Sequence, residues 1–181
     1  MWILLTIVGV LAVIVAAVLI AAMLRPKEFR VERSILSTAS AKDIYAEFSD
    51  LHRWREWSPY DKRDPAMKTE HTGPALGVGS SYSWEGNSQV GSGRLTIMRA
   101  EPDKFVELKL EFFRPFAVTN KAMWRVDEEG GQRRITWSMD GVNDSIMPRV
   151  ISVFMSMDKM VGTDFETGLA SLKMIAERKP S

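Results

Sequence analysis

The sequence predicts an α+β domain, an antiparallel sheet covered by a long C-terminal helix, set behind an N-terminal transmembrane helix. Three observations carry this. Residues 2–24 contain no charged side chain. Residues 67–140 divide into short segments that alternate apolar and polar positions and are separated by turn signals. From Pro148 to Arg178 the alternation stops, and apolar residues recur at helical spacing.

The first element is WILLTIVGVLAVIVAAVLIAAML, residues 2–24. As a helix it would be ~35 Å long, enough to cross a hydrocarbon core of ~30 Å. A cleaved signal peptide would want a basic n-region, a shorter apolar run and a small-x-small cleavage site. The segment Ala22-Met23-Leu24-Arg25-Pro26 offers no such site, and no Lys or Arg precedes the run. A permanent anchor over residues 1–24 is therefore expected, with a tether over 25–30 and the folded domain over 31–178. Arg25, Lys27, Arg30 and Arg33 all follow the helix, and the positive-inside rule then places the domain in the cytoplasm. The Ala12/Ala16 and Ala17/Ala21 spacings are compatible with helix pairing.

FRVERSIL, residues 29–36, reads as the first strand. Ser40 is a helix N-cap, and Ile44, Tyr45, Phe48 and Leu51 give the next segment an apolar face. Trp54 and Trp57 carry that face onward. SPYDKRDPAM, residues 58–67, reads as a proline-marked loop. Six strands follow. They are MKTEHT (67–72), SSYSWE (80–85, ending at the hairpin signal Gly86-Asn87), GSGRLTIMRA (91–100), FVELKLEFF (105–113), AVTNKAMWRV (117–126) and RRITWSMD (133–140). Half-polar alternation implies one solvated face. The inner face needs a cover, and residues 148–178 supply it as one helix of ~45 Å. Asn143, Asp144 or Ser145 can cap that helix, and Pro148 suits its first turn.

Composition excludes several classes. Lys and Arg number 24 against 23 Asp and Glu, for a net charge of +1, so no clustered basic excess points to nucleic acid. There is no cysteine, which removes disulfides, thiol catalysis and Cys-ligated zinc. His52 and His71 lie far apart in the sequence and read as exposed surface residues, so no metal site is expected. Gly77-Val78-Gly79 lacks the strand-to-helix context of a phosphate loop.

The element order resembles the helix-grip fold of the START-like (SRPBCC) superfamily, and within it the polyketide cyclase/dehydrase and lipid-transport group. The residues that carry the resemblance are Val31-Glu32-Arg33-Ser34-Ile35, Trp54-Arg55-Glu56-Trp57-Ser58-Pro59-Tyr60, Asp64-Pro65-Ala66-Met67, Trp84-Glu85-Gly86-Asn87 with Gly91-Ser92-Gly93, and residues 158–169. The resemblance covers essentially everything after the apolar helix. It implies a curved sheet wrapped around the long helix, with an apolar cavity between them, entered near the short helices and adjacent loops. It implies no cofactor and carries no fixed catalytic motif.

The inner faces then supply the candidate cavity residues. Trp54, Trp57 and Tyr60 come from the short helical region, and Trp84, Leu110 and Phe112 from the middle strands. Asn120, Trp124, Trp137 and Met139 come from the last two strands, and Met157, Met160, Val161 and Asp164 from the C-terminal helix. Trp57, Pro59 and Tyr60 either cover a cavity mouth or plug a core. Arg33 and Asp164 fall on inner faces, where they pair with each other, meet a polar ligand head or are turned outward by a twist. Glu85 beside Trp84 is either a general base or a hairpin surface residue. Gly162 and Gly168 interrupt the long helix at ~1 kcal/mol each, which fits close packing of its backbone. Three functions follow as expectations. One is a membrane-anchored binding domain for a hydrophobic small molecule or lipid. The second is a cyclase- or hydrolase-type enzyme using Glu85, Asn120 and Asp164 in the same cavity. The third is a membrane-tethered interaction domain without ligand.

Overall fold

The computed structural model describes residues 1–144 and 146–178. Helix α1, Trp2–Leu24, is followed by strand β1, Glu28–Ser37. Three residues, Arg25 to Lys27, lie between them, fewer than the predicted tether of 25–30. The backbone of Asn143 donates to the Lys27 carbonyl at 2.8 Å, which ties this link to the end of the sheet.

Helix α2, Ala41–Ser49, starts where Ser40 accepts from the Asp43 amide, as a capping residue should. A single 3₁₀ turn over Leu51–Arg53 leads into α3, Trp54–Trp57. The predicted loop 58–67 begins instead with a helical turn, α4, Pro59–Arg63. The cause is local. Ser58 accepts from the Tyr60 amide, and Pro59 supplies a preset φ at the first helical position.

The strands are β2 (Lys68–Thr72), β3 (Ser81–Glu85), β4 (Ser92–Glu101), β5 (Phe105–Arg114), β6 (Val118–Glu129) and β7 (Gln132–Val142). With β1 they form one seven-stranded sheet in the order β1-β7-β6-β5-β4-β3-β2, antiparallel throughout. Register shifts leave Phe113 as an extra residue in β5 and Met98 as one in β4, and bulges bend a strand and raise its twist. Gly93 permits the bend, because a Cβ there would stand 2.5 Å from the Trp84 ring. The predicted hairpin at Gly86-Asn87 is a wider loop closed by Gly86 N–H to the Gly91 carbonyl, and Asp64 accepts from the Asn87 amide at 2.7 Å.

The C-terminal segment is two helices, not one. Helix α5 spans Ile146–Phe154 and α6 spans Met157–Glu177. Ser156 accepts from the Lys159 amide and starts a new helix, a break the continuous apolar spacing conceals. The start of the helix expected to cover the sheet falls in α5, which buries none of its residues. Ser145, one of the three predicted caps, lies outside the described residues. Of these two helices it is α6 that packs on the sheet, burying Phe165, Leu169, Leu172 and Ala176 among Val31, Ile135 and Trp137, with Ile44 and Phe48 of α2 in the same core. The result is a helix-grip architecture.

Candidate functional site

Four of the six tryptophans in the chain, Trp54, Trp57, Trp124 and Trp137, form one aromatic cluster. Trp124 and Trp137 face each other across β6 and β7 and stack at 4.6 Å. Trp137 stacks in turn on Phe165 of α6 at 4.0 Å and 9°. Trp54 and Trp57 reach this cluster from the short helices, because their indole N–H groups are anchored on the carbonyls of Phe48 and Glu47. Pairs of this kind add ~1 kcal/mol beyond area burial, so this end of the domain is stiff.

Beyond the cluster the sheet and α6 diverge and enclose a cavity of about 500 Å³. Trp54, Trp57, Trp124 and Trp137 form its closed end, with Met139 beside them. Leu110, Phe112 and Trp84 form the wall from the middle strands, and Met157, Met160, Val161 and Asp164 the wall from α6. Tyr60 and Asn120 complete the predicted set, and all of these side chains line this one space. Its mouth is marked by apolar side chains that also reach solvent. Met160, Phe116 and Met155 are 42%, 40% and 50% exposed. Trp57 is 1% exposed, so it is a wall of the closed end and not a cover of the mouth.

The polar groups are few. Asp164, 6% exposed, is paired with Arg63, not with Arg33. Arg63 also lies over the Tyr60 ring, 5.6 Å from its centroid. Burial, then the Asp164 charge, pushes the Tyr60 hydroxyl well above its ordinary pKa, so it is a proton-bearing donor at neutral pH. The Tyr82 hydroxyl, raised first by burial and then by Asp61, reaches the Asp61 carboxylate at 3.4 Å. Among the cavity-lining residues, Oδ1 of Asn120 and Nε1 of Trp124 are buried without a hydrogen-bond partner. Both residues lie on the inner face of β6, and both line the cavity. Unpartnered buried groups cost ~1–3 kcal/mol each.

Other expectations shift. Glu85 lies on the surface, pairs with Arg114 at 2.9 Å and does not line the cavity. Arg33 does not meet Asp164. It bridges β1 to α6 by binding Asp158 and Glu166, each at 2.7 Å. His52 and His71, expected apart, are stacked at 4.0 Å, because the 3₁₀ turn packs against β2. Arg63, Tyr82 and the α5 residues Pro148, Ile151 and Ser152 also line the cavity without having been anticipated. Tyr82 was legible, since it shares a strand face with Trp84, whereas Arg63 lay in a segment read as loop. A more open hollow of about 550 Å³ on the other face of the sheet is lined by Glu107, Lys109, Lys121 and Asp140, and Lys121 pairs there with Glu107 at 3.1 Å.

Comparison with known proteins fits this geometry. Residues 28–177 match the family model described as polyketide cyclase / dehydrase and lipid transport. No curated protein matches the chain. A crystal structure from Chromobacterium violaceum aligns with a TM-score of 0.59 at 11% identity, covering 86% of this chain and all, 100%, of that one. The Aha1 dimer of Colwellia psychrerythraea aligns at 0.56 and 17% identity, covering 84% and 99%. The di-domain ARO/CYC protein StfQ of the steffimycin biosynthetic pathway aligns at 0.61 and 12% identity, covering 83% of this chain and 51% of that one. At these identities the likeness to the solved structures is one of fold. With 28–177 matched end to end and the helix-grip architecture in place, the chain belongs to the polyketide cyclase/dehydrase and lipid transport family.

Proposed function

We propose that the protein is a membrane-anchored binding domain that holds a hydrophobic small molecule or lipid between the sheet and α6. The observation that carries the reading is the cavity itself. At about 500 Å³ it exceeds the ~300 Å³ at which ligand sites begin, and its walls are aromatic and methionine side chains. Methionines adapt to varied apolar shapes, which suits a sparsely polar guest. On this reading residues 1–24 form the anchor, and a link of residues 25–27 joins it to the binding domain, whose first strand begins at Glu28. Helix α1 is long and apolar enough to cross a membrane, and Arg25 and Lys27 at its C-terminal end support a cytoplasmic domain by the positive-inside rule. The cyclase- or hydrolase-type alternative retains Asn120 and Asp164 in the cavity but loses Glu85 to the surface, and Asp164 is engaged by Arg63. Binding is therefore the stronger reading.

The test is native mass spectrometry of the full chain released from detergent, with solvent extraction of bound molecules. Wild type should carry a reproducible hydrophobic adduct, and Leu110→Trp, which fills the cavity from β5, should lose it while melting normally. A wild-type chain free of any specific adduct, with the same extract as Leu110→Trp, would sink the binding reading.

A further inference from the structure

Helix α5 is almost wholly apolar and yet buries nothing. Six of its nine residues, Ile146, Met147, Val150, Ile151, Val153 and Phe154, are large hydrophobics, and none is buried. Phe154 is 74% and Met147 52% exposed. The two polar side chains are used locally, Ser152 donating to the Arg149 carbonyl and Arg149 to the Met23 carbonyl, each at 2.7 Å. A helix with so apolar a face left exposed belongs against a core or lipid.

Its position selects lipid. Arg149 caps a carbonyl of the last turn of α1, and Arg25 reaches the Val153 carbonyl at 3.5 Å. Helix α5 is thus held against the end of a helix of membrane-spanning length, where Arg25 is the first charge. Arg25, Lys27 and Arg149 supply cations at that level, as expected opposite anionic headgroups. Strand β1 leads away from it, so the turn between β6 and β7 stands ~33 Å further off at ~3.3 Å per residue.

We propose that α5 docks in the headgroup–acyl boundary of a phospholipid bilayer, so that the cavity opens onto lipid beside Ile151, Met155 and Met160. Those three side chains line the cavity and are also exposed. The inference rests on the anchored, ligand-binding reading above and adds to it where the ligand enters. Amphipathic and apolar helices at this depth lie in the plane of the interface.

The chain contains no cysteine, so single cysteines can carry an environment-sensitive fluorophore on the full chain. Phe154→Cys and Met160→Cys report the docking face, Val8→Cys reports α1, and Glu128→Cys reports the far turn. The full chain is reconstituted into vesicles of mixed phosphatidylcholine and phosphatidylglycerol containing a spin-labelled quencher lipid. Labels at 154 and 160 should be quenched several-fold more than the label at 128. Quenching at 154 no greater than at 128, with the label at 8 quenched, overturns the docking while leaving the anchor intact. Shielding at 154 that scales with protein density and not with quencher lipid means that a second copy of the chain covers α5, and also overturns it. An unquenched label at 8 removes the anchor on which both readings stand. Ligand carriage is read separately from the extract of the same chain in detergent. A lipid-quenched 154 with an empty extract supports docking while the binding reading fails.

Discussion

The guanidinium of Arg33 lies directly over Gly162, and a Cβ at that glycine would collide with the Arg33 Nη2. The glycine thus lets an arginine from β1 cross the back of α6 and bind Asp158 and Glu166, each four positions from Gly162 on the same face. Hydrogen bonding to Arg33 holds the Asp158 carboxyl below its ordinary pKa. In an isolated helix, Gly→Ala gains ~1 kcal/mol. Here Gly162→Ala must displace the guanidinium, so its net effect should be small or destabilising. In an Arg33→Ala background the same change should stabilise by about 1 kcal/mol. Urea denaturation of the four proteins measures both. Equal effects of Gly162→Ala in the two backgrounds would show that the arginine does not occupy that space.

Gly168 makes a contrasting case. A Cβ there meets Trp137 Cζ3 at 2.7 Å and Pro59 Cδ at 3.3 Å. Neither can swing aside as an arginine head can, since Trp137 is pinned between Trp124 and Phe165. Overpacking of this kind costs ~1–3 kcal/mol, more than the helix gain. Gly168→Ala should lower the melting temperature and disturb the near-ultraviolet aromatic signal. A variant as stable as wild type would mean that α6 is free to lift from the cluster.

Much of this was legible in the sequence because two periodicities fix it. Val106, Leu108, Leu110 and Phe112 share a face by alternation alone, as do Trp124 and Val126, and Phe165, Leu169 and Leu172 share one by helical spacing. Those faces can only meet each other, so the cavity lining follows from them. What pattern could not carry was any relation between segments remote in sequence. His52 and His71 meet through a turn packed on an edge strand, and Asp164 meets Arg63 through a helical turn that proline made look like loop. The break at Met155-Ser156 was hidden because α5 and α6 are both apolar at helical spacing. Only burial separates a helix that covers the sheet from one that faces outward.

Asn120 should trade stability for binding. Its Oδ1 is buried without a partner, and its Nδ2 has only the Met139 sulfur at 3.8 Å. Asn120→Val introduces a β-branched, strand-favouring side chain and removes the unsatisfied acceptor. The empty protein should gain ~1–3 kcal/mol by denaturation. Retention of the co-extracted ligand should fall, because the substitution reshapes a wall of the cavity. Reduced stability without any change in retention would assign Asn120 to packing alone.

His71 gives the domain an acid-side sensitivity above the range of its carboxylates. Burial, then the neighbouring His52, holds its pKa below the usual 6.5, and Asp50 and Asp61 only partly oppose this. Its Nδ1 is buried without a partner, consistent with a neutral ring. As the pH falls through 6.5, the unfolded chain takes up this proton first, so stability declines from there down to the lowered folded value. Asp158 and Glu177 have depressed values and act lower down: their contributions persist until the pH drops below about 4.5 and 3.8, the ordinary values of Glu and Asp. Urea midpoints measured from about pH 8 to about pH 5 should therefore fall in wild type and fall less in His71→Gln, each relative to its own value at the higher pH. Parallel curves would mean that His71 titrates alike in the folded and unfolded chain, and that its stack on His52 is open to water.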